Sequence, residues 1–228
     1  FIVFEDADLD EAVAGAMASK FRNSGQTCVC ANRFYVQDSI YNDFVDRLAA
    51  RVAKLVPGDG FDQTSGQGPL IDEAAVLKVE RHVEDALALG GRLVTGGHRV
   101  DPGSRFFAPT VLAEVSAGAL VAREETFGPV AAVLRFTTER EVIDAANASP
   151  FGLAAYVYTS DLTRAFRMMD VLETGMVGIN TGRLSNVGAP FGGIKESGNS
   201  REGSSHGLHE FTDLKYCSVG LSAARLSQ

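Results

Sequence analysis

Apolar residues along the chain recur three and four positions apart in some stretches and gather in short continuous runs in others, and the two patterns alternate. Leu9, Ala12, Val13, Ala16 and Met17 keep a helical period behind Asp8 and Glu11, whose spacing resembles a capping box. A helix is therefore predicted from Asp8 to the polar stretch that begins near Lys20, and Arg33 to Val36 follows as a strand. Ser39 opens a second predicted helix with Ile40, Phe44, Leu48, Val52 and Leu55 on its inner face, and Pro57-Gly58-Asp59-Gly60 ends it. A third helix carries Val76, Val79, Val83, Ala86 and Leu87 inward and closes at Gly90-Gly91, before a strand at Arg92 to Thr95. Strand-like runs then fall at Phe107 to Val115, Val130 to Phe136, Ala154 to Tyr158 and Met176 to Asn180. Between them lie a helix capped by Thr138 with Glu141 and another after Ser160.

Such alternation predicts an α/β fold: an open, mostly parallel sheet with helices on both faces. Ligands of open α/β sheets gather beyond the carboxyl ends of the strands, and the Gly-rich tract from Thr181 to Gly207 follows such an end. Residues 1–207 read as one domain and 208–228 as a C-terminal strand or tail. His209 to Leu221 has a weak period of two that suits an edge or exchanged strand in an oligomer.

Bulk properties narrow the classes of function. At 228 residues the chain can bury a sizeable core. With 21 Lys and Arg against 29 Asp and Glu, it lacks the basic footprint of a nucleic-acid binder. Its apolar runs are far shorter than a bilayer needs, so no membrane partner is expected. Three cysteines, two of them one residue apart, make no disulfide framework and point to a reducing cytoplasm. His82, His98, His206 and His209 have no ligand spacing with the cysteines, so no metal site is expected.

One stretch carries chemistry. Between the first helix and the first strand, Lys20-Phe21-Arg22-Asn23-Ser24-Gly25-Gln26-Thr27-Cys28-Val29-Cys30-Ala31-Asn32-Arg33 sets a thiol on a short polar loop. Cys28 reads either as a small buried hydrophobe or as a nucleophile whose thiolate is stabilised by backbone amides near Gly25. Cys30 reads either as a packed thiol or as a redox partner that closes a ring on Cys28, although strain in so short a loop opposes closure.

Three segments in order favour the nucleophile reading of Cys28 and leave both readings of Cys30 open: Gly25-Gln26-Thr27-Cys28, then Glu124-Glu125-Thr126-Phe127-Gly128-Pro129-Val130, then Pro190-Phe191-Gly192-Gly193-Ile194-Lys195-Glu196-Ser197-Gly198. Together they resemble the aldehyde dehydrogenase superfamily over nearly the whole chain. The opening Phe1-Ile2-Val3-Phe4-Glu5-Asp6-Ala7-Asp8-Leu9-Asp10 and the Cys28-Val29-Cys30 pair narrow the likeness to NAD(P)-dependent succinate-semialdehyde dehydrogenases. The resemblance implies that Cys28 adds to an aldehyde, that Glu125 binds the nicotinamide ribose and that Phe127 packs on the nicotinamide of NAD or NADP. It likewise implies that Arg22 and Ser185 hold a substrate carboxylate, with Phe191 as a ring of the substrate tunnel. Read alone, Glu125 is a solvated charge, Phe127 a core ring and Arg22 a surface cation on a helix end. The family's second oxyanion donor, its general base and most of its dinucleotide-binding domain lie in segments these residues do not include. The chain is thus expected to be a piece of a larger homo-oligomeric enzyme, inactive in isolation. Three alternatives stand beside this reading: a structural or oligomerisation module, a dehydrogenase for another short carboxylated aldehyde such as glutarate semialdehyde, and a Cys-His hydrolase working through a thioester, for which no histidine near a strand end stands out as base. Asn199-Ser200 and Ser205-His206 depart from the family's usual residues in a stretch expected at the surface.

Overall fold

A computed structural model describes residues 1–220. Nine strands and seven helices are described: β1 (Ile2–Val3), α1 (Leu9–Lys20), β2 (Arg33–Gln37), α2 (Tyr41–Val52), α3 (Glu73–Ala88), β3 (Arg92–Thr95), β4 (Thr110–Ala113) and α4 (Leu120–Arg123), then β5 (Val130–Phe136), α5 (Glu139–Asn147), β6 (Phe151–Gly152), β7 (Ala154–Tyr158), α6 (Leu162–Val171), β8 (Met176–Ile179), β9 (Ile194–Lys195) and α7 (His206–His209). The main sheet runs in the order β3-β4-β5-β2-β1-β7-β8, and only β3 is antiparallel to its neighbour. β6 and β9 form a separate antiparallel pair.

Successive residues of a strand face opposite sides of the sheet, and each side buries its own core. Phe34, Val36, Val111, Val133 and Tyr156 face one side and pack with Ala12, Val13 and Ala16 of α1 and with Phe44, Val45 and Leu48 of α2. Tyr35, Leu112, Ala132, Leu134 and Val157 face the other, against Val76, Val79 and Val83 of α3, Val142 of α5 and Met168 of α6. Helices thus cover both faces, as the alternation predicts.

Local chemistry starts the helices where the sequence indicates. Asp8 caps α1 by accepting from the Glu11 N–H at 3.1 Å. At α5 the full reciprocal box forms, with the Thr138 hydroxyl accepting from the Glu141 N–H and the Glu141 carboxylate accepting from the Thr138 N–H. α2 differs from expectation: residues Asp38–Ile40 form a 3₁₀ turn, α2 begins at Tyr41, and the Ser39 hydroxyl donates to Glu5 at 2.8 Å instead of capping the helix. Leu87, expected to face inward, is 37% exposed, because its neighbour Ala86 occupies the inner position. β1 was not anticipated; with two residues it is too short to leave a pattern, yet it joins β2 to β7 at the centre of the sheet.

At the C-terminus, Ser205 leads into the one-turn α7, and residues 210–220 are exposed and add no strand to either sheet of this chain. Leu221, the last residue of the expected strand, lies outside the described residues.

Candidate active site

β2 and β5 are parallel neighbours, so the loops that enter them lie side by side at the amino edge of the sheet. The loop entering β2 carries Cys28 and the loop entering β5 carries Glu125. Between them opens a cleft of about 380 Å³, lined by Cys28, Cys30, Arg33, Glu124, Glu125 and Tyr156, with Phe1 and Ala154 marking the amino ends of β1 and β7. This corrects the expectation that the site gathers beyond the carboxyl ends: the thiol precedes its strand, and parallel pairing brings every neighbouring entry loop to the same edge. The Gly-rich tract leaves the carboxyl end of β8 but returns to the amino edge, where β9 pairs with β6 and Ser197 reaches the cleft.

The thiol loop is built from strained backbone. Asn23 and Ser24 take left-handed φ of 49° and 56°, a cost that surrounding contacts must offset, and Gly25 follows at 74°, which glycine adopts freely. The segment 66–71 supplies many of those contacts. The Ser24 hydroxyl donates to the Gly68 carbonyl at 2.8 Å, the Gln26 side-chain amide donates through Nε2 to the Pro69 carbonyl at 3.2 Å, and the Gln26 side-chain Oε1 accepts from the Ile71 N–H at 2.9 Å. The Gln67 amide donates to the Phe21 carbonyl at 2.7 Å. A Cβ at Gly25 would stand 2.1 Å from the Gly128 carbonyl oxygen, so this glycine lets the thiol loop touch the Glu125 loop.

Further anchors fix the rest of the loop. The Tyr156 hydroxyl donates to the Val29 carbonyl at 2.7 Å, and burial pushes the phenol's pKa up, with the Cys30 thiol adding to the shift and Arg22 opposing it. Asn32 ties the two loops directly: its amide donates to the Val121 and Glu124 carbonyls, each at 2.8 Å, and its oxygen accepts from the Thr126 N–H at 2.9 Å. Arg33 donates to the Ala145 and Ala146 carbonyls in the last turn of α5, where a cation meets the negative end of the helix.

Within this frame the two thiols differ. Cys28 is exposed to the cleft and, among the described residues, neither its sulfur nor its backbone N–H is hydrogen-bonded. Cys30 is half-buried, with its sulfur 2.8 Å from the Thr27 hydroxyl and 3.8 Å from the Arg22 carbonyl oxygen that accepts from it. Lys20 lies beneath, 1% exposed and with no carboxylate within 4 Å among the described residues. Burial lowers its pKa to about 8 against a smaller opposing pull from Cys30 and Glu125. Glu125 is exposed and, among the described residues, forms neither a hydrogen bond nor an ion pair.

Of the residues singled out in the sequence, Cys28, Cys30 and Glu125 share the cleft. Phe127, two residues after Glu125, is 39% exposed and in a left-handed conformation with φ 53°. Arg22 is exposed on the turn that leads to Cys28, and Ser185 is exposed on the loop after β8. Phe191 is half-buried and exchanges backbone hydrogen bonds with Glu202. None of these four lines the cleft. Sequence reasoning passed over Asn32, Gln67, Thr126, Tyr156 and His82, whose partners stand 42 to 127 positions away in the chain.

The chain is an α/β domain that displays an exposed thiol, with a half-buried one two positions on, beside a carboxylate that has no partner among the described residues, at the amino edge of a parallel sheet. Residues 1–217 match the family model described as the aldehyde dehydrogenase family, and the chain belongs to that family. It is 58% identical to the NADP(+) succinate-semialdehyde dehydrogenase of Escherichia coli over 221 residues, which cover 97% of this chain and 46% of that protein. The glutarate-semialdehyde dehydrogenase of Pseudomonas aeruginosa and a 3-sulfolactaldehyde dehydrogenase of Pseudomonas putida are each 56% identical over 220 residues. A crystal structure of succinate-semialdehyde dehydrogenase from Burkholderia pseudomallei superposes with a TM-score of 0.91 at 56% identity, covering 92% of this chain and 44% of that one. The chain spans about half the length of the curated relatives it matches.

Proposed function

We propose that this chain is the thiol-bearing part of an NAD(P)-dependent dehydrogenase for short aldehydes with an anionic far end, succinate semialdehyde first among them and glutarate semialdehyde next. The observation that carries this reading is the free, exposed Cys28 on a strained and heavily anchored loop beside Glu125, which has no partner among the described residues. Three relatives at 56–58% identity support the substrate class, since the aldehydes in their names all end in a carboxylate or sulfonate.

In this reading the Cys28 thiol first gives its proton to solvent, its sulfur then bonds to the aldehyde carbon, and the oxygen that becomes anionic is met by the Cys28 backbone N–H, which has no partner among the described residues. Hydride loss from that carbon leaves a thioester, and water then releases the acid and restores the thiol. The dinucleotide, when bound, supplies the acceptor for the hydride. The chain's residues fit its nicotinamide end: Glu125 offers ribose hydroxyls two acceptor oxygens that have no partner among the described residues, and Phe127, two residues on, presents a partly exposed ring. Arg22 and Ser185 are proposed to hold the substrate's distant carboxylate, Arg22 through its bidentate fork, and Phe191 to wall the tunnel.

No helix among the described residues is long and apolar enough to cross a membrane, and three free cysteines suit the reducing cytoplasm we propose as the setting. NAD(P)H formation by the full-length protein that carries these residues is the test. Turnover of succinate semialdehyde well above that of an uncharged aldehyde of equal length is expected, and equal turnover of the two removes the anionic-substrate reading.

A further inference from the structure

His82 is the least exposed titratable side chain near the cleft, at 0% accessibility, and the chemistry above makes no use of it. It projects from α3 to the Glu124-Glu125-Thr126 stretch, with Nε2 3.1 Å from a Glu124 carboxylate oxygen and Nδ1 3.1 Å from the Thr126 hydroxyl. A carboxylate only accepts, so Nε2 carries the proton and donates to Glu124; Nδ1 then accepts from the Thr126 hydroxyl. One neutral tautomer therefore satisfies both contacts, in keeping with burial, which lowers the imidazole's pKa against the smaller opposing pull of Glu124. Arg81 holds Glu124 from the same helix at 3.2 Å. On the other side of the stretch, Asn32 accepts from the Thr126 N–H and donates to the Glu124 carbonyl.

The residues before and after Glu125 are thus clamped from two elements, while the Glu125 side chain is left exposed and without a hydrogen bond among the described residues. We infer that His82 is a positioning residue: with Asn32 it holds the main chain on both sides of Glu125, so that the carboxylate is set to receive the dinucleotide's ribose hydroxyls. The inference rests on the proposed dehydrogenase reading. It makes His82 act through Glu125 and not through the thiol, because its two partners belong to the β5 entry loop while Cys28 belongs to the β2 entry loop.

The test is a double-mutant cycle in the full-length protein, with His82→Ala, Thr126→Val, Glu125→Gln and the combinations of Glu125→Gln with each of the others. His82→Ala is expected to raise the KM for dinucleotide by about tenfold, the size of one or two lost buried hydrogen bonds, and to leave the KM for aldehyde in place. Thr126→Val keeps the side chain's volume, removes only the Nδ1 partner and should shift the same constant in the same direction. In the Glu125→Gln background both effects should shrink to near nothing, while the rate of Cys28 alkylation by iodoacetamide stays at the parent value throughout. Undiminished effects in the Glu125→Gln background, slowed alkylation of Cys28, or an unchanged dinucleotide KM in Thr126→Val would each overturn the assignment. A parent enzyme that shows no dinucleotide-dependent oxidation would instead count against the dehydrogenase reading itself, so the two failures are distinguishable.

Discussion

At the scale of single residues, the site combines side chains left free with one held under strain. A buried lysine favours its neutral form, and Lys20 with its pKa lowered from 10.5 to about 8 does so beneath the thiol loop. Between these two values the unfolded chain binds more protons than the folded one, so Lys20 makes stability rise as pH climbs from about 8 towards 10.5. Below pH 8 the folded protein carries the cost of a buried charge, about 3 kcal/mol. Lys20→Met should therefore raise the denaturation midpoint at pH 7 and flatten the alkaline rise in stability; urea titrations of both proteins at pH 7 and pH 9.5 check this, and a parallel pH dependence in the two contradicts it. Arg22 stands at the same scale. Removing a charge-assisted contact costs about 1.5–3 kcal/mol, so Arg22→Ala is expected to raise the KM for succinate semialdehyde by one to two decades and that for an uncharged aldehyde far less. Equal losses on both substrates would make Arg22 structural.

The thiol loop shows at the scale of elements why the site is rigid. A methyl group at Gly25 would need both a left-handed L-residue and space that the Gly128 carbonyl occupies at 2.1 Å. Gly25→Ala is thus expected to destabilise the fold by more than about 1 kcal/mol and to push the two loops apart. Chemical denaturation measures the first effect and slower alkylation of Cys28 reports the second. Unchanged values for both would mean that the loop relaxes freely. Where structure follows from contacts within a few residues, the sequence was legible: the Asp8 cap, the Thr138 and Glu141 box, and the runs at Val130–Phe136 and Ala154–Tyr158 all stand where their patterns put them. Long-range pairing left no such trace. The position of the cleft at the amino edge depends on which strands neighbour β2, and Asn32 and His82 earn their roles from partners 94 and 44 residues away. The motifs could be read because they name Cys28 and Glu125 together; nothing in their spacing says that a segment at 66–71 and a helix at 73–88 hold them in place.

Over the whole molecule, the sheet buries a core on each face, and an uncovered apolar segment remains at the C-terminal end. Phe211, Leu214, Tyr216 and Val219 are each at least 80% exposed. Such a row of apolar side chains in water favours association, and we propose residues 208–228 as the segment through which copies of the enzyme assemble. Deleting them after Gly207 should lower the oligomeric state seen by light scattering while residues 1–207 keep their fold; an unchanged particle mass would rule the segment out. This chain alone is expected to fold, through its two continuous cores, and to turn over no aldehyde, because in the proposed reading its residues reach only the nicotinamide end of a dinucleotide. Saturable micromolar binding of NAD+ or NADP+ to the 228-residue chain would show that more of the cofactor's surface lies here than we propose.

In the proposed chemistry Cys28, and not its neighbour Cys30, forms the covalent bond to the substrate. The most direct measurement of this is dinucleotide reduction by the full-length protein carrying Cys28→Ala with Cys30 intact, alongside dinucleotide binding by the same variant. Reduction should disappear while binding persists; NAD(P)H formation at a rate comparable with the parent protein would show that Cys28 is not the residue that bonds to the substrate.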